Sequence, residues 1–274
     1  MPFPFSEICL YLSRLEDTEL RDPPFIYEAD KAKQVKDHTT SWFQSHRRAI
    51  HELDPEGAAA FLSTLLPEQR TDRVYGLREP RLCRILSRAL NLSSVRSKDL
   101  LAYKRPDSGD LGSCLERVLA CGGPPAAPKV TLEEVDDVLQ TLAGSSRFSG
   151  PDVTKLPPGS SEIRDRLLGD VFKRLHPNEG KWLVRLILKD FSPVRVNQHL
   201  VLRSFHFLLP DLLMFQNNFH AAVRLLKSPL REYPDAPDPR SERLHRHGAA
   251  KFLKPSVGVK VGRPQFYKAR SIDN

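Results

Sequence analysis

Long apolar runs are the first thing this 274-residue chain lacks: its longest, 205–215, is interrupted by His206, Pro210 and Asp211. A membrane-spanning helix needs roughly 20 uninterrupted apolar residues, so no membrane partner is expected. The first residues, Met1-Pro-Phe-Pro-Phe-Ser-Glu7, hold no basic segment ahead of an apolar one, and two prolines and Glu7 break what could be a secretory signal. An intracellular protein is expected. Cysteine is sparse, and Cys9, Cys83, Cys114 and Cys121 are scattered with no C-x-x-C pair. That argues against a zinc ribbon or a disulfide framework and fits reduced thiols. Also absent are the phosphate-cradling G-x-x-x-x-G-K-(S/T) loop, the G-x-G-x-x-G fingerprint, the G-x-S-x-G elbow and the zinc-binding H-E-x-x-H. His245-Arg-His247 has ligand-like spacing but sits among cations that would repel a metal ion. No alternating β-branched run and no internal repeat is found.

Helical periodicity, by contrast, runs through nearly every segment, and the expected fold class is all-α. Asp54-Pro55 supplies an N-cap and a first-turn proline, after which Ala58, Phe61, Leu62, Leu65 and Leu66 make one apolar stripe that stops at Pro67. Thr131 and Glu134 read as a capping box, because the threonine oxygen can accept from the amide three residues on while the glutamate reaches back. Leu132, Val135, Val138, Leu139 and Leu142 then line the buried face up to Gly144. Ile163, Leu167, Leu168, Val171, Phe172 and Leu175 predict a helix over 161–175, and further helices are predicted over 38–52, 111–120, 195–209 and 211–226. The helix predicted at 178–189 is apolar on most of its circumference and should be central; Trp42 and Trp182 are expected to pack in the core.

Charge is unevenly placed. The 42 basic and 34 acidic residues leave a net +8, yet 240–270 alone carries nine basic residues against Glu242, and elsewhere 33 of each sign balance. A basic tail suits a polyanion; the same composition also describes a solvated terminus with no dedicated ligand. Two stripes stand out within the helices: Lys181, Arg185 and Lys189, and Arg81, Arg84 and Arg88 opposite Leu82, Ile85 and Leu86. Like charges one helical turn apart repel unless something negative offsets them, and the bland reading is snorkelling cations on the open side of a helix. Proline- and glycine-rich stretches at 121–128, 144–161 and 228–239 read as loops or linkers. They divide the chain into a helical body at 1–227, a Pro-rich linker at 228–239 and a basic, weakly ordered tail at 240–274.

Four segments, taken in order, resemble the N-terminal domain of eukaryotic ATP-dependent DNA ligases of the ligase IV type. Asp72-Arg-Val-Tyr-Gly-Leu-Arg-Glu-Pro-Arg-Leu-Cys-Arg-Ile-Leu-Ser-Arg-Ala-Leu-Asn-Leu92 is similar to the family's R-x-x-Y-G-(I/L)-(K/R)-E-x-x-L stretch. Ser108-Gly-Asp-Leu-Gly112 leads into a helix, Leu132-Glu-Glu-Val-Asp-Asp-Val-Leu139 resembles its L-x-x-(V/Q)-(N/D)-x-L-L helix, and Gly180-Lys-Trp-Leu-Val-Arg-Leu-Ile-Leu-Lys-Asp190 resembles K-W-L-x-R-(M/L)-I-(I/L)-K-D. Phe252-Leu-Lys-Pro255 looks like the F-x-P-M-L approach to the family's catalytic domain, and the residues after it are most similar to fungal ligase-like proteins.

The resemblance implies an all-helical domain that holds nicked or broken double-stranded DNA by its minor groove and sugar-phosphate backbone, in nuclear strand-break repair and recombination. Lys181, Arg185, Lys189 and Arg195 are the phosphate contacts it suggests, with Arg81, Arg84 and Arg88 on another helix and Lys260 and Arg263 in the tail. Repair proteins are further partners it implies. ATP and Mg²⁺ belong to the full-length ligase, in which a K-x-D-G lysine takes up AMP. This chain has no K-x-D-G and holds no cofactor of its own on this reading, so it is not expected to ligate DNA by itself. The family's turn after the Lys-Trp-Leu helix usually contains a glycine, whereas here Phe191-Ser-Pro-Val-Arg-Val196 has none. That departure supports an alternative, a catalytically inactive helical protein-interaction module or truncated ligase relic. A catalytic site among Asp107, Asp110 and His176 is a third and remote possibility.

Overall fold

The structure is a computed structural model that describes residues 2–21, 27–123, 129–154 and 161–255, with 257 and 261. Its helices are α1 (Phe5–Glu19), α2 (Glu28–Ser45), α3 (Arg47–Glu52), α4 (Pro55–Leu65), α5 (Glu79–Ala89), α6 (Ser94–Leu100), α7 (Leu111–Ala120), α8 (Leu132–Gly144), α9 (Pro151–Thr154), α10 (Ser161–Phe172), α11 (Pro177–Leu188), α12 (Gln198–Phe205), α13 (Leu209–Gln216), α14 (Phe219–Lys227) and α15 (Pro239–Ala249). Among the described residues there is no strand, only a lone bridge between Pro4 and Thr131, so the chain is all-α as predicted.

Two helices form the centre. Helix α4 starts where Asp54 accepts a 2.8 Å hydrogen bond from the Gly57 amide, and from Gly57 to Leu65 every residue is buried. Its two buried hydroxyls are satisfied within the helix, Ser63 donating to the Ala59 carbonyl and Thr64 to that of Ala60. Phe61 of α4 meets Phe3, Trp42, Phe43 and Phe205 at ring separations of 5.4 to 6.0 Å, drawing the N-terminal segment, α2 and α12 onto one aromatic core. The second central helix, α11, packs on α7 and α1. The approach to α7 is close because it uses two glycines: a Cβ on Gly112 would lie 2.8 Å from the Lys181 carbonyl oxygen, and one on Gly180 would lie 2.6 Å from a Leu119 methyl. Glu179 reaches back to the His176 amide at 2.8 Å and closes the first turn of α11.

Helix ends depart from the sequence reading where a short polar signal outweighs an apolar one. The predicted helix 38–52 begins earlier, at Glu28, since its first turns are solvent-facing and carry no apolar stripe, and it breaks at His46. The region 211–226 is two helices, because Asn217 takes a left-handed conformation (φ 38°) and Asn218 caps α14 by accepting from the Ala221 amide. The capping box at Thr131 and Glu134 is present. Of the predicted loops, 124–128 and 155–160 lie outside the described residues.

The segment after α14 and the helix that follows it pack on the body. Leu230 is fully buried, Lys227 donates to the His51 carbonyl at 2.6 Å, and the Phe207 amide donates to the Asp235 carbonyl at 2.8 Å, so the Pro-rich segment is sealed against the body. Helix α15 then docks on α12 and α13: Glu242 accepts from Arg203 at 2.7 Å, Arg246 pairs with Asp211, and Ala249 is buried. The prolines end helices here without freeing the chain, because apolar and polar contacts on either side hold it down.

Candidate nucleic-acid interface

On α11 the stripe Lys181, Arg185 and Lys189 faces inward. Lys181, 8 % exposed, pairs with Glu16 of α1 and, at 3.2 Å, with Glu116 of α7. Arg185, 3 % exposed, donates to Glu16 at 2.7 Å and through two nitrogens to Asp110 at 2.8 and 3.1 Å, and its guanidinium lies 4.7 Å from the centre of the Trp182 ring. Lys189 spends its ammonium on the carbonyls of Arg70 and Arg73, at 2.5 and 2.8 Å. Burial pushes the Asp110 carboxyl up, but hydrogen bonds from Arg185 and Ser113 outweigh it and hold the group at about 2. For Lys189 burial dominates and depresses its pKa. The stripe expected to meet phosphate is thus turned inward: carboxylates and carbonyls of the protein engage all three side chains, and solvent scarcely reaches Lys181 and Arg185.

The four segments that carry the family resemblance meet in this interior. Asp110 comes from Ser108-Gly-Asp-Leu-Gly112 and Arg185 from the Lys-Trp-Leu helix. Arg73, 2 % exposed, is clamped bidentately by Asp136 of α8 at 2.5 and 2.8 Å and by Gln140 at 2.8 Å, while Tyr75 packs under Lys189. Glu16 was missed by sequence reasoning. Its signal was nonetheless present, since it follows Ile8, Leu12 and Leu15 on the buried stripe of α1, where a carboxylate needs a cationic partner.

The turn from 190 to 197 leaves this interior for the surface. Lys189 ends α11 in a left-handed conformation (φ 55°), so a lysine tethered through its own ammonium does what a glycine does elsewhere. Asp190 accepts from the Ser192 amide at 2.9 Å, Phe191 sets its edge on Trp182 at 5.8 Å, Val194 is buried, and Asn197 caps α12 by accepting from Leu200. Between these anchors Arg195 is exposed, close enough to Lys31 for its charge to oppose the pKa rise that Glu19 causes there.

On α5, Arg81, Arg84 and Arg88 lie on the solvent side of a helix whose other face buries Leu82, Cys83, Ile85 and Leu86. Arg88 is shared with Asp165 at 3.0 Å. Lys260 and Arg263 fall outside the described residues. Asp110 and His176 are helix-cap residues and Asp107 is an exposed residue of the loop before α7, so the structure assembles no catalytic constellation from them. Among the described residues no three His, Cys, Asp or Glu side chains converge as a metal ion requires. These residues do not fit an ATP–Mg²⁺ centre, and no chemical step through one is assigned to them.

Residues 4–206 match the family described as DNA ligase N terminus, a span that contains α1 to α12 and every partner in the ion-pair interior. The chain belongs to this family. Relatives of the DNA ligase N-terminal domain found here include proteins named DNA ligase 4 from Gallus gallus, 27 % identical over 218 residues, and Homo sapiens, 26 % identical over 216 residues; each match covers 74 % of this chain and 21 % of the relative. One from Coprinopsis cinerea is 27 % identical over 176 residues, 61 % of this chain and 15 % of the relative. The chain spans about a fifth of the length of the first two. In this ligase N-terminal domain, residues of the quoted segments pair across helices, Arg73 with Asp136 and Arg185 with Asp110.

Proposed function

We propose that this chain grips nicked or broken duplex DNA through the sugar-phosphate backbone, as the N-terminal domain of a ligase acting in strand-break repair by end joining and in recombination, in the nucleus. The observation that carries the reading is the turn at 190–197, which holds Arg195 outward on a backbone pinned by Lys189, Val194 and Asn197. A pre-organised cation loses little entropy on meeting a phosphate, and backbone contact suits a protein that must accept any sequence. Arg81 and Arg84 on α5 are further exposed cations that could meet phosphate. ATP and Mg²⁺ would act in a ligase carrying the K-x-D-G lysine that this chain lacks.

Fluorescence anisotropy of a nicked duplex, titrated with the chain at low and moderate salt, tests this. Arg195→Ala is expected to weaken binding and to reduce the slope of log K against log salt by about 0.9, the share of one neutralised phosphate. An unchanged slope removes the turn from the interface. The glycine-free turn favours the alternative of an inactive protein-interaction module, and absence of any salt-dependent affinity in the folded chain would establish that reading over DNA gripping.

A further inference from the structure

Away from this turn, a groove of about 780 Å³ runs between α2, α3, α12 and the sealed segment that follows α14. A second depression of about 680 Å³ continues it and shares Arg47, His51 and Arg231. The floor is apolar, with Phe43, Ile50, Leu53, Phe205 and Leu226 presenting their edges from the core. On the rim Lys36 stands on one side, His199 on α12 and Arg231 at the far end, while Arg203 is paired with Glu242 and Arg47 with Asp235. The side chains of Lys36, His199 and Arg231 are exposed and have no hydrogen-bond or ion-pair partner among the described residues. The acids on the rim are already committed, Glu52 to Arg48 at 2.9 Å and Asp235 to Arg47 at 3.6 Å.

We propose that this groove binds a short acidic segment of a partner protein, its carboxylates meeting Lys36, His199 and Arg231 and one bulky apolar side chain seated on the floor. Charge complementarity selects the sign, and the apolar floor selects a peptide over a nucleic acid. A duplex is too wide to enter so small a depression. Single strands bind by stacking successive bases on exposed aromatic faces, whereas Phe43 and Phe205 are only 5 and 8 % exposed and Tyr233, the other ring of the lining, is half-buried against His245. The chain's own residues from 256 onward are excluded by like charge, since they carry Lys260, Arg263, Lys268 and Arg270 against Asp273 alone.

The test is anisotropy of short fluorescein-labelled peptides of alternating Glu and Gly with a central Phe, Leu or Ser, titrated with the full chain. The Phe or Leu peptide is expected to bind saturably and the Ser peptide to bind at least about tenfold more weakly. The double variant Lys36→Glu with Arg231→Glu, checked for folding by circular dichroism, is expected to weaken the Phe peptide by about tenfold or more, because it sets like charges face to face. Ala236→Trp, which fills the groove without altering charge, should do the same. The proposal is overturned if neither anchored peptide saturates the folded chain, or if binding ignores the anchor and both variants. It is overturned equally if a nicked duplex displaces the peptide and suffers the same loss from the charge reversal, for the groove would then belong to nucleic acid.

Discussion

On α5, Arg81, Arg84 and Arg88 point into solvent, whereas on α11 Lys181, Arg185 and Lys189, at a similar helical spacing, point at carboxylates and carbonyls of the protein. The difference lies in what flanks each stripe. Apolar residues occupy a single face of α5, so the helix lies on the core and its opposite face stays wet. On α11 they occupy most of the circumference, and from Glu179 to Ile187 every residue is buried, so the cations must go inside and find acids there. A cation stripe thus stays open to an outside partner only when the rest of its helix leaves it a dry side and a wet side.

Removing one member from each stripe should break the comparison most sharply. Arg185→Ala leaves Asp110 and Glu16 short of a partner in a buried site and is expected to cost about 3 kcal/mol in urea denaturation, whereas Arg84→Ala should stay within about 0.5 kcal/mol. Near-equal costs would show that the α11 network adds no more than a surface pair. Next in size is Gly112→Ala. Its methyl would press on the Lys181 carbonyl, a backbone atom that cannot swing aside, and a loss of about 1–3 kcal/mol is expected, read as a lowered thermal midpoint.

Acid should separate the two stripes by a smaller amount. Asp110 is held at about 2 when folded, below the ordinary carboxyl value of 3.8, so its contribution is present above pH 4 and is lost as the pH falls through about 2. With a third of the side chain exposed, about 1–2 kcal/mol is a fair allowance, and Asp110→Asn should flatten the stability profile over that window. The exposed Arg88–Asp165 pair should contribute well under 1 kcal/mol at any pH. Smallest in stability, yet largest for binding, is Arg81→Ala with Arg84→Ala. Folding should change by less than about 0.5 kcal/mol while the salt slope for a nicked duplex falls by about 1.8 if both meet phosphate. A slope that stays put confines the interface to the turn at 190–197.

Much of the architecture was legible in local pattern. The caps at Asp54 and Thr131 and the all-round apolar helix predicted at 178–189 each rest on residues a few positions apart, and each is found, the helix as Pro177–Leu188. Less was legible where the deciding residue was small and polar, as with Asn217 and Asn218 dividing α13 from α14. The docked linker was illegible for another reason: prolines announce the end of a helix but carry no record of whether Leu230 and Asp235 will find a surface to hold.

Sequence alone determined the all-α class, the capped and strongly amphipathic helices and the family, because periodicity, capping and motif spacing act over a few residues or are read directly. Only the tertiary structure decided what each charge is for. Arg185 meets Glu16 across 169 positions and Asp110 across 75, and nothing local to the Lys-Trp-Leu helix encodes those partners. A cation in water and a cation in a carboxylate cage are spelled alike, and they part company only when distant helices pack and take the water away.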